Sequence, residues 1–308
     1  MNKRLIVEIA EGLGNQLFMY ANAYSLSKKL GYSLLIDNKS GFSRKKNILR
    51  NHQKYLLDCF NIKQDIAPNS SVYDNYSKRL KKKIELVFEK FHSKKKFIIE
   101  RNIKSYNNKI AQPIIIPDKN KLSNLLYVQG NFENENYFNS FRDELVEMYK
   151  PLKKFINHDN ELIEKLKNTN SVSIHIRKYK YSDQPHELKN NERLLKSEKF
   201  TQDLISYVYK GISYFEKKID KPTFFIWSND IDSIKKYFNN SRFIFVKGND
   251  VINDFNLFSY AKHFIVGGST YHWWGAWLND WPNKICLCPQ TLNPSGNINF
   301  YPIYWDTI

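Results

Sequence analysis

The chain has 308 residues, 42% hydrophobic and 15% aromatic, enough for a large core or for two domains of ordinary size. No run approaches the roughly 18 apolar residues of a membrane-spanning helix, and Met1-Asn2-Lys3-Arg4-Leu5-Ile6-Val7-Glu8 lacks the long apolar segment of a secretory signal, so a cytoplasmic protein is expected. A formal charge of +17 asks for an anionic partner; without zinc-finger spacing, an RNP1-like motif or a basic region followed by heptads, a phosphorylated substrate or an anionic membrane fits better than nucleic acid.

Residues 5–10 read as a strand running into Glu11-Gly12-Leu13-Gly14-Asn15-Gln16, ahead of a helical pattern over residues 17–30. The glycines suit a sharp turn and close approach to a ligand, but the third glycine of a dinucleotide fingerprint would fall on Leu17, which disfavours a nicotinamide enzyme. A second strand at residues 34–37 completes a βαβ unit and predicts a parallel sheet. From Ser77 to Lys96 lysines crowd around Leu80, Ile84, Val87 and Phe91 at helical spacing. That pattern fits a helix lying on an anionic membrane or the solvated face of an ordinary packed helix. A strand over residues 125–130 and a helix over 139–149 close the first half, with a boundary and a further helix in the stretch from Pro151 to Asn168.

The second half repeats the alternation, with strands expected at residues 172–177, 223–227, 243–246, 264–266 and 285–288 and helices near 199–217, 230–238, 254–262 and 270–279. In Val172-Ser173-Ile174-His175-Ile176-Arg177 the period of two puts Ser173, His175 and Arg177 on one face. Arg177 ends the strand, where a guanidinium can fork onto two phosphate oxygens. Asp254, at the expected start of a helix, is either a helix-end charge or a carboxylate that accepts from N1–H and the amine of guanine. Asp230-Ile231-Asp232 has the form of a metal-binding DxD, but residues two apart on a helix diverge, so no metal site is expected. Gly267-Gly268-Ser269-Thr270 stands between a strand and a tryptophan-rich helix, where free N–H groups, two hydroxyls and the helix dipole converge as a phosphate site. Cys59, Cys286 and Cys288 contain no CxxC pair and read as buried thiols.

Three stretches in register resemble the bacterial α-1,2-fucosyltransferases of glycosyltransferase family 11: Gly12-Leu13-Gly14-Asn15-Gln16-Leu17-Phe18-Met19-Tyr20-Ala21, His175-Ile176-Arg177, and the run from Ser269 to Asn279. The resemblance implies a GT-B-like α/β fold of two Rossmann-like domains with parallel sheets facing a cleft, here drawn as an acceptor-side domain over residues 1–155 and a nucleotide-sugar domain over 156–308. It implies a GDP-fucose donor, no metal or other cofactor, and inversion at the anomeric carbon. It places Arg177 on the donor phosphates, Ser269 and Thr270 beside it and Asp254 on guanine, with Gly12, Gly14, Asn15 and His175 also binding substrate. A Glu before the glycine turn serves as base in some protein O-fucosyltransferases, which nominates Glu11, with His175 and Asp183 next.

The chain departs from the family where His-x-Arg-Arg-Gly-Asp-Tyr becomes His175-Ile176-Arg177-Lys178-Tyr179-Lys180-Tyr181, where a usual Gly becomes Glu11, and where Asn-Ser-Thr becomes Gly268-Ser269-Thr270. The expected activity is transfer of L-fucose from GDP-β-L-fucose to the 2-OH of a galactose-type residue of a surface glycan such as O-antigen, free or lipid-linked. The protein would stand in the cytoplasm or on the inner face of the membrane. The altered loop keeps open another nucleotide sugar. A non-catalytic carbohydrate- or nucleotide-binding protein, with the tryptophan helix as a sugar platform, is the alternative from another class.

Overall fold

The computed structural model describes residues 3–43, 53–100, 118–157, 159–178, 190–292 and 299–308. The chain divides into two compact units, Met1–Lys150 with Gly296–Phe300, and Pro151–Ser295 with Tyr301–Ile308.

The first unit runs β1 (Arg4–Glu8), α1 (Leu13–Leu30), β2 (Ser33–Asp37), α2 (Tyr76–Phe88), β3 (Lys95–Ile99), β4 (Leu122–Gln129) and α3 (Arg142–Met148). Its four strands are parallel in the order β2-β1-β4-β3. Helix α1 starts at Leu13, four residues ahead of the expected start, so Gly14, Asn15 and Gln16 are helical rather than part of a turn. Gly14 is buried there, and Gln16 ties the helix start to a distant loop segment by donating to Lys54 O and accepting from Leu56 N. The helix ends on Gly31 at φ +74°, in the left-handed region that glycine enters without steric cost. Strand β3 is an element the lysine crowding conceals: Phe97 and Ile98 are buried within it.

The second unit runs α4 (Asn160–Asn168), β5 (Asn170–Ile176), α5 (Asn190–Lys218), β6 (Pro222–Ser228), α6 (Ile231–Ile234), β7 (Phe243–Phe245), α7 (Val251–Phe258), β8 (His263–Ile265), α8 (Thr270–Leu278), β9 (Cys286–Cys288) and β10 (Asp306–Thr307). All six strands are parallel, in the order β10-β9-β8-β5-β6-β7. The alternation of β5 sends Val172, Ile174 and Ile176 into a core shared with Leu204, Val208 and Phe215 of α5, as the period of two requires. Trp273, Trp274 and Trp277 of α8 are at most 1% exposed and pack on one another, so this helix is core and not a sugar platform. The three cysteines are buried and unbridged. No described helix is long and apolar enough to cross a membrane.

Candidate active site

In the second unit the chain leaves β5 for β6 and β7 on one side, then returns through α7 to β8 on the other side of β5. The crevice beyond the carboxyl ends of β5 and β8 is therefore the topological switch point, the place where open parallel sheets hold ligands. Arg177 and Lys178 follow β5 on one side of it, and Gly267-Gly268-Ser269 follow β8 on the other. Gly267 packs closely: a Cβ there would stand 2.7 Å from Leu204 Cδ1, which would have to shift, and 3.5 Å from His175 O. Ser269 is the extended residue that opens α8, yet its side chain makes no capping hydrogen bond. The helix thus presents its dipole and first-turn N–H groups without a side-chain cap, beside the Ser269 and Thr270 hydroxyls.

Behind this end lies a set of buried and half-buried polar groups. Ser173 Oγ and His272 Nε2 are 2.8 Å apart. The His175 ring lies 5.7 Å from that of Tyr271 and 5.8 Å from that of His272, and Nδ1 of both histidines is buried with no hydrogen-bond partner. Burial, helped by the nearby Arg177 charge, lowers the His175 pKa to about 3, and burial holds His272 well below the usual range. Both are neutral at neutral pH, and a pKa near 3 makes the His175 imidazole a weak base. Asp183, the other alternative, lies outside the described residues.

Asp254 does not begin its helix. Asp250 caps α7 by accepting from Ile252 N and Asn253 N at 2.9 Å each, which leaves Asp254 without the capping role. Its Oδ1 is buried without a hydrogen-bond partner, and burial raises its pKa to about 6, partly offset by the neighbouring side chains of Asn249 and Trp227. Asn249 Nδ2 and Trp227 Nε1 are buried beside it and complete no regular hydrogen bond. A carboxylate and two donors held in this state are a poor arrangement for an empty core and a good one for a polar ring. Trp227 pairs in register with His175 on β5, a cross-strand relation invisible in the linear sequence. Tyr271 joins the two groups: its hydroxyl donates to Val251 O at the start of α7 and its ring meets His175.

The residue that replaces the family's second Arg is held on the neighbouring strand. Lys178 N donates to Asn229 Oδ1 at 2.8 Å, and its Nζ lies 3.4 Å from Asp230 Oδ2. Asp230 also caps α6, while Asp232 points to Lys247 at 2.6 Å and Lys235 at 3.6 Å. The two aspartates diverge as helical geometry demands. Of the altered loop, residues 179–189 lie outside the described residues.

In the first unit Glu11 has φ +65°, the left-handed region that favours glycine, and its carboxylate accepts from Asn15 Nδ2. A side chain there is strained by about 1 kcal/mol. Gly12 opens α1, is exposed, and has no atom within 4 Å of where a Cβ would stand. Sequence reasoning missed the buried cluster behind it. Glu8 and Asp37, at the ends of β1 and β2, share the Tyr127 hydroxyl at 2.9 and 2.7 Å, and Lys82 Nζ lies 3.1 Å from Glu8.

The family model for glycosyl transferase family 11 matches residues 4–299. An α-1,2-colitosyltransferase of Escherichia coli is 30% identical, over 96% of this chain and 95% of that protein. The O-antigen biosynthesis glycosyltransferase WbnK of Escherichia coli is 27% identical over 94% of this chain and 95% of that protein. Among solved structures, an Arabidopsis thaliana FUT1 variant in complex with GDP superposes with a TM-score of 0.50 at 10% identity, covering 95% of this chain and 72% of that one. The shared fold is the GT-B-like one, with a parallel α/β sheet in each of two units.

Proposed function

The chain belongs to glycosyltransferase family 11, and from that premise we propose that it transfers a 6-deoxy-L-sugar, L-fucose in the first instance, from a GDP-β-L-sugar to the 2-OH of a galactose-type residue of a surface glycan, with inversion. The single observation that carries the donor reading is the switch point, where Arg177 and the uncapped start of α8 follow adjoining strands and the buried polar atoms of Asp254, Asn249 and Trp227 belong to the neighbouring elements.

In this reading the Arg177 guanidinium forks onto the diphosphate, and Ser269, Thr270 and the α8 dipole stabilise the charge that grows as the C1–O bond to phosphate breaks. Asp254 accepts from guanine N1–H and its exocyclic amine, a paired contact that uracil does not offer. The acceptor hydroxyl attacks C1 from the opposite face, and Glu11 takes its proton, with Gly12 and Asn15 shaping the acceptor side. Arg177 and the helix end supply the positive charge for which other glycosyltransferases use a metal.

A second donor is favoured by one specific observation. Lys178, tied to Asp230, replaces an Arg usual in fucosyltransferases of this family, and a relative of matching length is named a colitosyltransferase. Colitose is fucose without its 3-hydroxyl, so the two donors differ by one hydrogen-bonding group. A relative named for O-antigen biosynthesis supports a glycan-building role. The test is a panel of GDP- and UDP-sugars with a galactose-terminated acceptor and EDTA present. Transfer from GDP-fucose or GDP-colitose alone supports the reading, and transfer from a UDP-sugar or a strict need for manganese overturns it.

A further inference from the structure

Helix α2 is amphipathic in the reverse of the usual sense. A surface helix ordinarily turns its apolar stripe to the core. Here the face turned inward carries Lys78, Arg79, Lys82, Glu85, Leu86 and Glu89, spaced three and four apart and buried or half-buried. Lys82 reaches the Glu8 carboxylate at 3.1 Å and the Gln129 Oε1 at 2.8 Å, with its ammonium 4.2 Å from the centre of the Tyr127 ring. Glu85 accepts from the Tyr73 hydroxyl and from Lys96 Nζ at 2.7 Å each. Glu89, in the turn that follows the helix, accepts from Phe97 N at 2.7 Å. The helix is docked by charge and hydrogen bonds.

The opposite face carries Tyr76, Leu80, Ile84, Val87 and Phe88, and Phe91 follows one turn later; these side chains are between 47% and 82% exposed. Contiguous apolar groups on a surface mark a docking site, since scattered exposure would not gather along one helix edge. The charge around the stripe identifies the occupant. Glu85 and Glu89 are the only acids between residues 76 and 96, and both are turned inward. Lys83, Lys90, Lys94 and Lys95 are exposed beside the stripe. A second copy would bring the same lysines face to face, at a cost in like-charge repulsion.

We infer that the outward face of α2 and the turn after it form a docking surface for an anionic lipid bilayer, with the apolar side chains entering the interface and the lysines meeting headgroup phosphates. This contact lies on residues apart from those of the donor site and does not depend on which sugar is carried. It would hold the protein at the surface where a lipid-linked acceptor is presented.

The test uses the full chain with sedimented vesicles of phosphatidylcholine alone and of phosphatidylcholine with about one-third phosphatidylglycerol. The expected result is at least tenfold tighter binding to the anionic vesicles, lost in half-molar salt. Ile84→Glu with Phe88→Glu should weaken binding at least tenfold, and Lys83→Glu with Lys90→Glu should abolish the anionic preference, at roughly fivefold per lysine. All four residues are exposed, so transfer to a soluble acceptor should not change. If the apolar pair loses its near-UV circular dichroism, Phe91→Ser, at 82% exposure, makes the same test. Equal binding to both vesicles, or variants that bind as wild type, overturns the proposal. So does a concentration-dependent dimer, or binding of a protein partner without lipid, that the apolar variants abolish.

Discussion

Ser173 Oγ lies 2.8 Å from His272 Nε2, a contact that joins the middle of β5 to the first turn of α8 within the core. Burial keeps that imidazole neutral. His175 and His263, with pKa values lowered by burial to about 3 and about 4, are in the same condition. Between about pH 6 and pH 4.5 the three histidines bind protons in the unfolded chain and not in the folded one, so their contribution is complete above their ordinary value near 6.5 and lost as pH falls. Asp254, raised to about 6, acts in the other direction, because the folded form holds its proton over that window. Glu100, also raised by burial, acts with Asp254 and offsets part of the effect, and the histidines leave a net loss of stability as pH falls through this window. Urea unfolding measured from pH 8 to pH 4.5 should show a flat midpoint above 7 and a steep fall below 6; a midpoint independent of pH would mean that these histidines titrate in the folded protein.

Arg177→Lys should leave the fold intact, since the side chain is half-exposed at a strand end. Turnover should fall by two or more orders of magnitude, because one lost contact to developing diphosphate charge costs roughly 3 kcal/mol. Kinetics at saturating donor check this. A lysine variant with the wild-type rate would remove Arg177 from the chemistry.

In the proposed donor site Asp254 accepts from guanine as a carboxylate, and its pKa of about 6 places that ionisation within reach of ordinary buffers. Calorimetry should find GDP binding roughly tenfold weaker at pH 5 than at pH 7. UDP carries the same terminal phosphate and serves as the control, with a flatter profile. Asp254→Ala should lose at least tenfold in GDP affinity, as expected for hydrogen bonds to a charged group, and little for UDP. Equal losses for both nucleotides would reduce Asp254 to a structural residue.

Much of this molecule is legible in the residues because period-two and helical patterns report which face is buried. The strands at β5, β6 and β8 and the helix after Gly267-Gly268 follow directly from such runs. Other features depend on contacts that cross the chain. Asp250 takes the helix cap and so frees Asp254, and Trp227 comes beside His175 through sheet register. The stripe from Leu80 to Phe91 is as regular as any core-facing one, and only the burial of Lys82 with Glu8 reveals that it faces outward. The early start of α1 escapes a reading that takes each glycine as a turn, since Gly14 is helical and buried.

Glu11 keeps a side chain at φ +65°, where glycine would be relaxed. Strain of that kind is retained where it serves a role. Glu11→Gln should bind GDP-fucose almost normally and lose most of its turnover, with the residual rate rising toward high pH as the acceptor hydroxyl ionises more readily. Glu11→Gly should be equally inactive but no less stable than the wild type, as backbone relief offsets the lost contact with Asn15. A glutamine variant with full rate across pH would leave the proton to another group.

The most direct measurement is the NMR spectrum of the product formed from GDP-β-L-fucose, or GDP-colitose, and a galactose-terminated acceptor. Displacement by a single in-line attack at a switch point built around Arg177 and α8 inverts C1, so the account predicts an α-linked 6-deoxy-L-sugar on galactose O2. A β-linked product, or no product from either GDP-sugar while a UDP-sugar is consumed, would contradict it.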